Sequence, residues 1–191
     1  MGRRLLAVIL ATSAVSAVPG VQLEQTPRTR QERLAPFATT PHDVVERMLQ
    51  LAGVGPSDVV YDLGSGDGRI VIAAAQRFGA RGVGLEIDPE LVRKAEAAAK
   101  AAGVADRVTF RVQDVMTADV SEATVVTLYL LAASNVRLRP LLTRQLRRGS
   151  RIVAHEFPMG TWTPSHVDTF VDATGQTRTL LLWTTDGVER R

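Results

Sequence analysis

The sequence contains no cysteine and only three histidines, which stand far apart at His42, His155 and His166. The absence of thiols excludes disulfide bonds, thiolate metal ligands and a cysteine nucleophile. The histidines lack the i, i+4 spacing of a helical zinc pair, so the sequence predicts no metal site. The net charge is only +3 over 191 residues and no basic stripe is visible, which argues against nucleic acid as a partner.

Long apolar runs are missing as well, with one exception at the amino terminus. Residues 1–19 begin with two arginines, continue as an apolar run and carry small residues at Val15 and Ala17. This order is typical of a secretory signal peptide, and an uncleaved membrane anchor is the related interpretation. A leader without a targeting role, or a start codon placed too early, is the alternative. Residues 20–35 are polar and aperiodic, which predicts a linker before one folded domain at 36–191.

Short apolar strands alternate with amphipathic helices from residue 36 onward. Thr40 and Pro41 predict the start of a first helix, with the Thr40 hydroxyl as N-cap and Gly53 at the end. Three further helices are expected, at Arg69–Phe78, Pro89–Ala102 and Ala133–Arg148. The expected strands are Val59–Leu63, Gly82–Ile87, Arg107–Val112, Ala123–Leu130, Arg151–His155, Val167–Val171 and Arg178–Thr184. This alternation predicts an α/β, Rossmann-like, doubly wound sheet of seven strands, mostly parallel with an antiparallel C-terminal hairpin.

The stretch DLGSGDG, Asp62 to Gly68, stands where the first strand passes into a helix. Ligands of open α/β sheets bind at the carboxyl ends of the strands, and glycines there allow the backbone to approach them closely. A dinucleotide site would use the spacing G-x-G-x-x-G and hold a pyrophosphate. The spacing here is G-x-G-x-G, and the carboxylates of Asp62 and Asp67 would repel a pyrophosphate. A ligand with a cationic amino-acid portion fits better, which favours S-adenosylmethionine over NAD.

Two more carboxylates follow the next two strands. Glu86 closes the second strand, where a carboxylate can accept hydrogen bonds from ribose hydroxyls. Asp114 follows the third strand, where it can accept one from an adenine amino group. Either could instead be an exposed loop residue, and Asp67 could be a helix cap. Acids at three successive strand ends favour one adenosine ligand that carries no phosphate.

Three segments carry a family resemblance: APFATTPHDVVERML, VVYDLGSGDGRIVIAAAQRFGARGVGLEIDPELV and RIVAHEFPMGTWTPSHV. Together they span most of residues 36–170, and they resemble the class I, seven-strand S-adenosylmethionine-dependent methyltransferases. Within that class the resemblance is to the protein-lysine methyltransferases that modify the ATP synthase c-subunit and the adenine nucleotide translocase. Ala38 replaces a proline of that family. The segment LYLLAASN, after the fourth strand, does not match closely enough to transfer a target.

The resemblance implies a role for the residues at matching positions. Those that would bind the cofactor are Thr39, Thr40, Asp62, Gly64, Ser65, Gly66, Glu86, Ile87, Asp114 and Val115. Those on the acceptor side would be Phe37, Phe157, Trp162 and Pro164, with Phe37 also helping to close the cofactor pocket. Within the segment that departs from the family, Asn135 is the best candidate for a polar contact with the acceptor.

An aromatic slot would suit a lysine acceptor, because it disfavours the charged amine and attracts methylated intermediates. Its candidate rings are Phe37, Tyr129, Phe157 and Trp162, and core packing is the alternative for each. His155 could act as a base or make a structural hydrogen bond.

The sequence as a whole predicts methyl transfer from S-adenosylmethionine to a lysine side chain of a protein, with membrane proteins among the candidate substrates. No inserted lid is visible, so we expect an open acceptor face and a monomer. The alternatives are a methyltransferase acting on a small molecule or lipid, a cofactor-binding domain without catalysis, and an NAD-dependent enzyme. A leader that suggests export conflicts with a cofactor made in the cytosol. An amino-terminal anchor at the cytosolic face of the membrane would reconcile the two.

Overall fold

This computed structural model describes residues 39–190. The predicted leader, the predicted linker and Phe37 lie outside the described residues. Four helices are present in this part of the chain: α1 His42–Leu51, α2 Arg69–Phe78, α3 Pro89–Ala101 and α4 Ala132–Gln145. The seven strands are β1 Val59–Leu63, β2 Arg81–Glu86, β3 Val108–Val112, β4 Val125–Leu128, β5 Arg151–His155, β6 His166–Val171 and β7 Thr177–Thr184.

All seven strands belong to one sheet in the order β3-β2-β1-β4-β5-β7-β6. Strands β1 to β5 pair in parallel, whereas β7 runs antiparallel to both β5 and β6. The mostly parallel seven-stranded α/β fold with its C-terminal hairpin is therefore confirmed. Strand order reverses between β1 and β4, so a crevice opens at the carboxyl ends of these two strands.

The sheet divides the core into two layers. One layer packs α1, α2 and α3 against the sheet around residues such as Met48, Val71 and Ala95. The other surrounds α4 and contains Leu138, Leu142 and Trp183. Both faces of β1 are covered, and all five of its residues are buried, as expected for a central parallel strand.

Glycine sets the distance between α2 and the sheet at one point. A Cβ on Gly82 in β2 would lie 2.7 Å from the Cβ of Val71 in α2. A side chain at position 82 would therefore push α2 outward, together with the turn that precedes it. The position of α2 matters because its first residue borders the crevice.

Most predicted bounds agree with the structure to within one or two residues, and two of the differences have a clear physical cause. The expected N-cap role of Thr40 is wrong: α1 begins at His42, its N-cap is Pro41, and no side chain caps it. The hydroxyl of Thr40 instead faces His155, which is distant in the sequence. Helix α4 ends at Gln145 because Leu146 turns to an extended conformation (ψ 138°), and its buried side chain joins the core.

No helix between residues 39 and 190 is both long and apolar enough to cross a membrane.

A buried ion pair ties the amino-terminal edges of β1 and β5 together. Asp58 accepts hydrogen bonds from the guanidinium of Arg151, from the Thr124 hydroxyl (2.6 Å) and from the Gly55 N–H (2.9 Å). Burial alone would raise the pKa of Asp58, but these hydrogen bonds and the charge of Arg151 outweigh it and lower the pKa. Arg151 also donates to the carbonyl of Ala52 (2.8 Å), so the pair anchors the end of α1.

Asp58→Ala is expected to lower the free energy of unfolding by ~2–4 kcal/mol, because it leaves the Arg151 guanidinium without its partner. Urea denaturation at neutral pH measures this loss. Because the folded pKa of Asp58 is depressed, its contribution is present above the unfolded pKa and disappears as the pH falls through the folded one. Asp186→Ala, which removes an exposed pair with Arg190, serves as the control and should change little. An equal loss of unfolding free energy in the two variants would contradict a stabilising role for the Asp58–Arg151 pair.

Candidate cofactor site and acceptor side

The turn after β1 is built from glycines in left-handed conformations. Gly64, Gly66 and Gly68 have φ angles of 86°, 54° and 80°. Residues with a Cβ rarely adopt such angles. A Cβ on Gly64 would also lie 2.9 Å from the side chain of Leu130, so close packing and backbone conformation both require glycine there.

The carboxylate of Glu86 holds this turn against β2. One oxygen, Oε2, accepts the N–H of Gly66 at 2.9 Å. The other, Oε1, accepts the N–H groups of Ile87 (2.8 Å) and Asp88 (3.0 Å). A carboxylate has about four acceptor sites, so three are used within the protein and one is left for a ligand.

Asp62, at the end of β1, is a buried acid with one neutral partner. It is 3% exposed and accepts a hydrogen bond of 2.8 Å from the Thr127 hydroxyl. Burial, together with the negative charges of Glu86 and Asp67, raises the pKa of Asp62 to about 7 against the opposing effect of Thr127. A cationic ligand group beside Asp62 would favour its ionised form.

Asp67 pairs with the first residue of α2, Arg69. The Arg69 guanidinium donates to both carboxylate oxygens, at 2.9 Å and 2.6 Å. Burial alone would raise the pKa of Asp67, but the hydrogen bonds and charge of Arg69 outweigh it and lower the pKa. Asp67 also accepts the N–H of Arg69 at 3.3 Å, whereas the N-cap position of α2 belongs to Gly68.

Asp62, Asp67 and two of the glycines, Gly64 and Gly66, line one cleft at the carboxyl end of β1. Six residues expected at the cofactor meet there: Thr39, Thr40, Asp62, Gly64, Ser65 and Gly66. The cleft also includes Asp67, Arg69, Ile70 and Tyr129. Of these four, the sequence analysis missed Arg69 and Ile70. Their only local signal was their place directly after the glycine turn, as the first two residues of a helix.

The remaining residues expected at the cofactor lie at the ends of β2 and β3. Glu86 pairs in register with Val112, and the N–H of Gln113 donates to the Glu86 carbonyl at 2.8 Å. Asp114 follows directly and is half-buried, and its side chain accepts the N–H of Met116 at 2.9 Å. Ile87 is also half-buried, whereas Val115 is buried in the core.

The acceptor side is marked by a stack of rings beyond β4 and β5. Tyr129 lies 4.1 Å from His155 and 6.4 Å from Phe157, measured between ring centroids. Glu156, between the last two, has a φ of 67°, which turns the chain sharply after β5. Burial, with a further effect of the Arg178 charge, lowers the pKa of His155 to about 4, so its ring is neutral at pH 7.

Two other residues expected on the acceptor side have mainly structural contacts. Asn135 is fully buried and donates a hydrogen bond of 2.8 Å to the carbonyl of Phe157. Trp162 packs at 5.9 Å against Trp183, and the Arg190 guanidinium lies 4.6 Å from the Trp162 ring centroid. The structure thus brings Tyr129 and Phe157 together, and Trp162 lies in a separate ring cluster.

The groups around the cleft fit S-adenosylmethionine. Ser65 lines the cleft, and its buried hydroxyl has no hydrogen-bond partner within residues 39–190. Asp62 would supply negative charge for the cationic methionine portion, and Glu86 would offer its remaining acceptor site to the ribose. A sheet of this order with these groups at its strand ends defines the seven-strand S-adenosylmethionine-dependent methyltransferases.

Comparison with known protein families gives the same class of enzyme. The ANTKMT methyltransferase domain family matches residues 62–166. A protein-lysine N-methyltransferase of Saccharolobus islandicus is 45% identical over 69% of this chain and 83% of its own length. The human lysine N-methyltransferase of the ATP synthase c-subunit is 34% identical over 74% of this chain and 60% of its own length. The chain belongs to the ANTKMT methyltransferase family, and its cofactor is S-adenosylmethionine.

One solved structure supports the identity of the cofactor but points to a different class of substrate. The RNA methyltransferase of Salinibacter ruber, in complex with S-adenosyl-L-homocysteine, is 55% identical to this chain with a TM-score of 0.75. The match covers 81% of this chain and 97% of that protein. The name of this relative specifies RNA, whereas the two relatives above are named for protein lysine.

Asp62→Asn is expected to stabilise the cofactor-free protein at pH 8 while abolishing cofactor binding. In the unfolded chain Asp62 ionises near its ordinary pKa, but in the fold it keeps its proton to about pH 7. The free energy of folding therefore becomes less favourable as the pH rises from about 4 to 7, by on the order of 2–4 kcal/mol. The neutral amide of the Asp62→Asn variant removes this loss.

Thermal and urea unfolding at pH 4.5 and pH 8 test this, with calorimetric titration of S-adenosylhomocysteine as the binding assay. Asp106→Asn, at an exposed turn position, is the matched control. An Asp62→Asn variant with the same stability as the parent at both pH values would rule out a protonated Asp62.

Proposed function

We propose that this protein transfers a methyl group from S-adenosylmethionine to a lysine side chain of another protein. The observation that carries the proposal is the Tyr129 ring, which lines the acid-bordered cofactor cleft and lies beside Phe157. The relatives named as lysine methyltransferases, at 45% and 34% identity, support the same acceptor.

When bound, S-adenosylmethionine supplies an electrophilic methyl group carried by a sulfonium. The protein's own part is to orient the amine and exclude water. Tyr129 and Phe157 give the acceptor an aromatic surface that disfavours the charged amine and accommodates a methylated one. His155 is a weak base and faces Thr40, so we assign it no proton transfer.

The other acceptor-side residues take indirect roles in this proposal. Asn135 supports the backbone at Phe157 and acts through it. Trp162 and Pro164 belong to the loop between β5 and β6, and they shape the outer edge of the acceptor face. Phe37 is proposed to close the same side, as the family resemblance implies.

A carboxylate near the cleft favours a cationic acceptor over a phosphate backbone. Glu156 follows β5 at the carboxyl edge of the sheet. Its charge attracts an ammonium group and repels phosphate. RNA is the second candidate, because of the name of the Salinibacter relative and because residues 137–151 contain six arginines and no acid.

The proposed substrate is a membrane protein. The human relative is named for the c-subunit of ATP synthase. Leu131 and Val136 are 45% and 36% exposed at the start of α4, next to Tyr129, and would give an apolar partner a surface to contact. Attachment through the amino-terminal leader, and a monomeric state, are part of the same proposal.

The acceptor class is tested by incubating the protein and S-adenosylmethionine with a membrane-protein fraction or with total RNA. We expect methyl-lysine, identified by peptide mass spectrometry, and no methylated nucleoside. Prior acetylation of the lysines should abolish the signal, because an amide nitrogen is no longer nucleophilic, and Asp62→Ala should be inactive in both arms. Methylated nucleosides with unmodified lysines would overturn the proposal in favour of RNA.

The role of the aromatic surface is tested by Tyr129→Leu against Tyr129→Phe. Leucine removes the ring, and we expect kcat/KM for the protein substrate to fall ~5–30-fold, the range of a desolvated cation–π contact. Phenylalanine keeps the ring and should stay close to the parent. Equal activity of the two variants would show that the ring does not contact the acceptor.

A further inference from the structure

Thr40 occupies an unusual place for a residue that precedes a helix. It is only 3% exposed and lines the cofactor cleft together with Thr39. Its hydroxyl does not cap α1, although threonine is well suited to that role. Thr40 is instead held from two sides by groups of distant elements.

The first contact joins Thr40 to the turn after β1. Nη1 of Arg69 donates to the Thr40 carbonyl at 2.8 Å. The guanidinium is fixed in turn by both oxygens of Asp67, and the two side chains are 22% and 31% exposed. A planar guanidinium held on two edges in this way fixes the main chain of Thr40 in position.

The second contact joins Thr40 to the end of β5. The Thr40 hydroxyl lies 3.4 Å from Nδ1 of His155, which is fully buried. The His155 ring packs on Tyr129, which also lines the cleft. Since β1, β4 and β5 are neighbours in the sheet, these contacts extend from one side of the crevice to the other.

Attachment of α1 to α2 does not by itself explain Arg69. Arg77, on the same helix, already pairs with Glu46 of α1, away from the cleft. Arg69 differs because its target is a carbonyl at the cleft and its counter-ion, Asp67, is a cleft residue.

We propose that Arg69 and His155 are positioning residues that hold Thr40 across the ends of β1, β4 and β5, and that this bridge slows release of the cofactor. Arg69 fixes the main chain of Thr40, and His155 fixes its side chain. The proposal concerns cofactor retention alone, so it holds for either acceptor class and is tested without an acceptor.

Arg69→Gln tests the main-chain contact, with Arg77→Gln as the matched control on the same helix. Loss of a hydrogen bond from a charged group should weaken S-adenosylhomocysteine binding ~10-fold, mainly through a faster dissociation rate measured by stopped-flow. Arg77→Gln should leave the affinity and the rate unchanged. Unchanged dissociation in Arg69→Gln, or the same acceleration in both variants, would overturn the proposal.

Thr40→Val and Thr40→Ser test the side-chain contact without disturbing the buried histidine. Valine keeps the shape but loses the hydroxyl, and we expect S-adenosylhomocysteine to dissociate ~3–10-fold faster, as for one lost hydrogen bond. Serine keeps the hydroxyl and should restore the parental rate. Equal rates for the two variants, at melting temperatures close to the parent, would refute a role for His155.

Discussion

The carboxylate of Glu86 is the constraint on which the site depends. The turn after β1 needs three glycines in left-handed conformations, and the N–H groups of Gly64, Ser65 and Gly68 bond to backbone carbonyls. Glu86 accepts the N–H of Gly66 with one oxygen and two N–H groups after its own strand with the other. The same carboxylate therefore ties the middle of the turn to the end of β2.

The three carboxylates at the cofactor site are compensated to different degrees by their partners. Asp67 is neutralised by Arg69, and Glu86 is satisfied by backbone donors, whereas Asp62 has only a hydroxyl. The raised pKa of Asp62 follows from this difference, because burial penalises an uncompensated carboxylate most. The cationic portion of a bound cofactor would supply the positive charge that Asp62 lacks among its partners in the described residues.

Local signals in the sequence were sufficient for the parts of the fold that depend on neighbouring residues. The glycine turn and the acids at strand ends are set by spacing over a few positions, and the described structure contains both. The partner of Thr40 lies 115 positions away, so its helix-cap signal was overridden by a contact that no local pattern reveals. The packing of the Trp162 ring on Trp183, 21 positions away, is likewise a contact that no local pattern reveals.

The position of Thr39 and Thr40 has a topological consequence. Because these residues line the cleft, the polypeptide enters the described domain at the rim of its own cofactor site. Any tether that acts through the amino-terminal side would therefore pull at the mouth of the cleft and not at the back of the sheet.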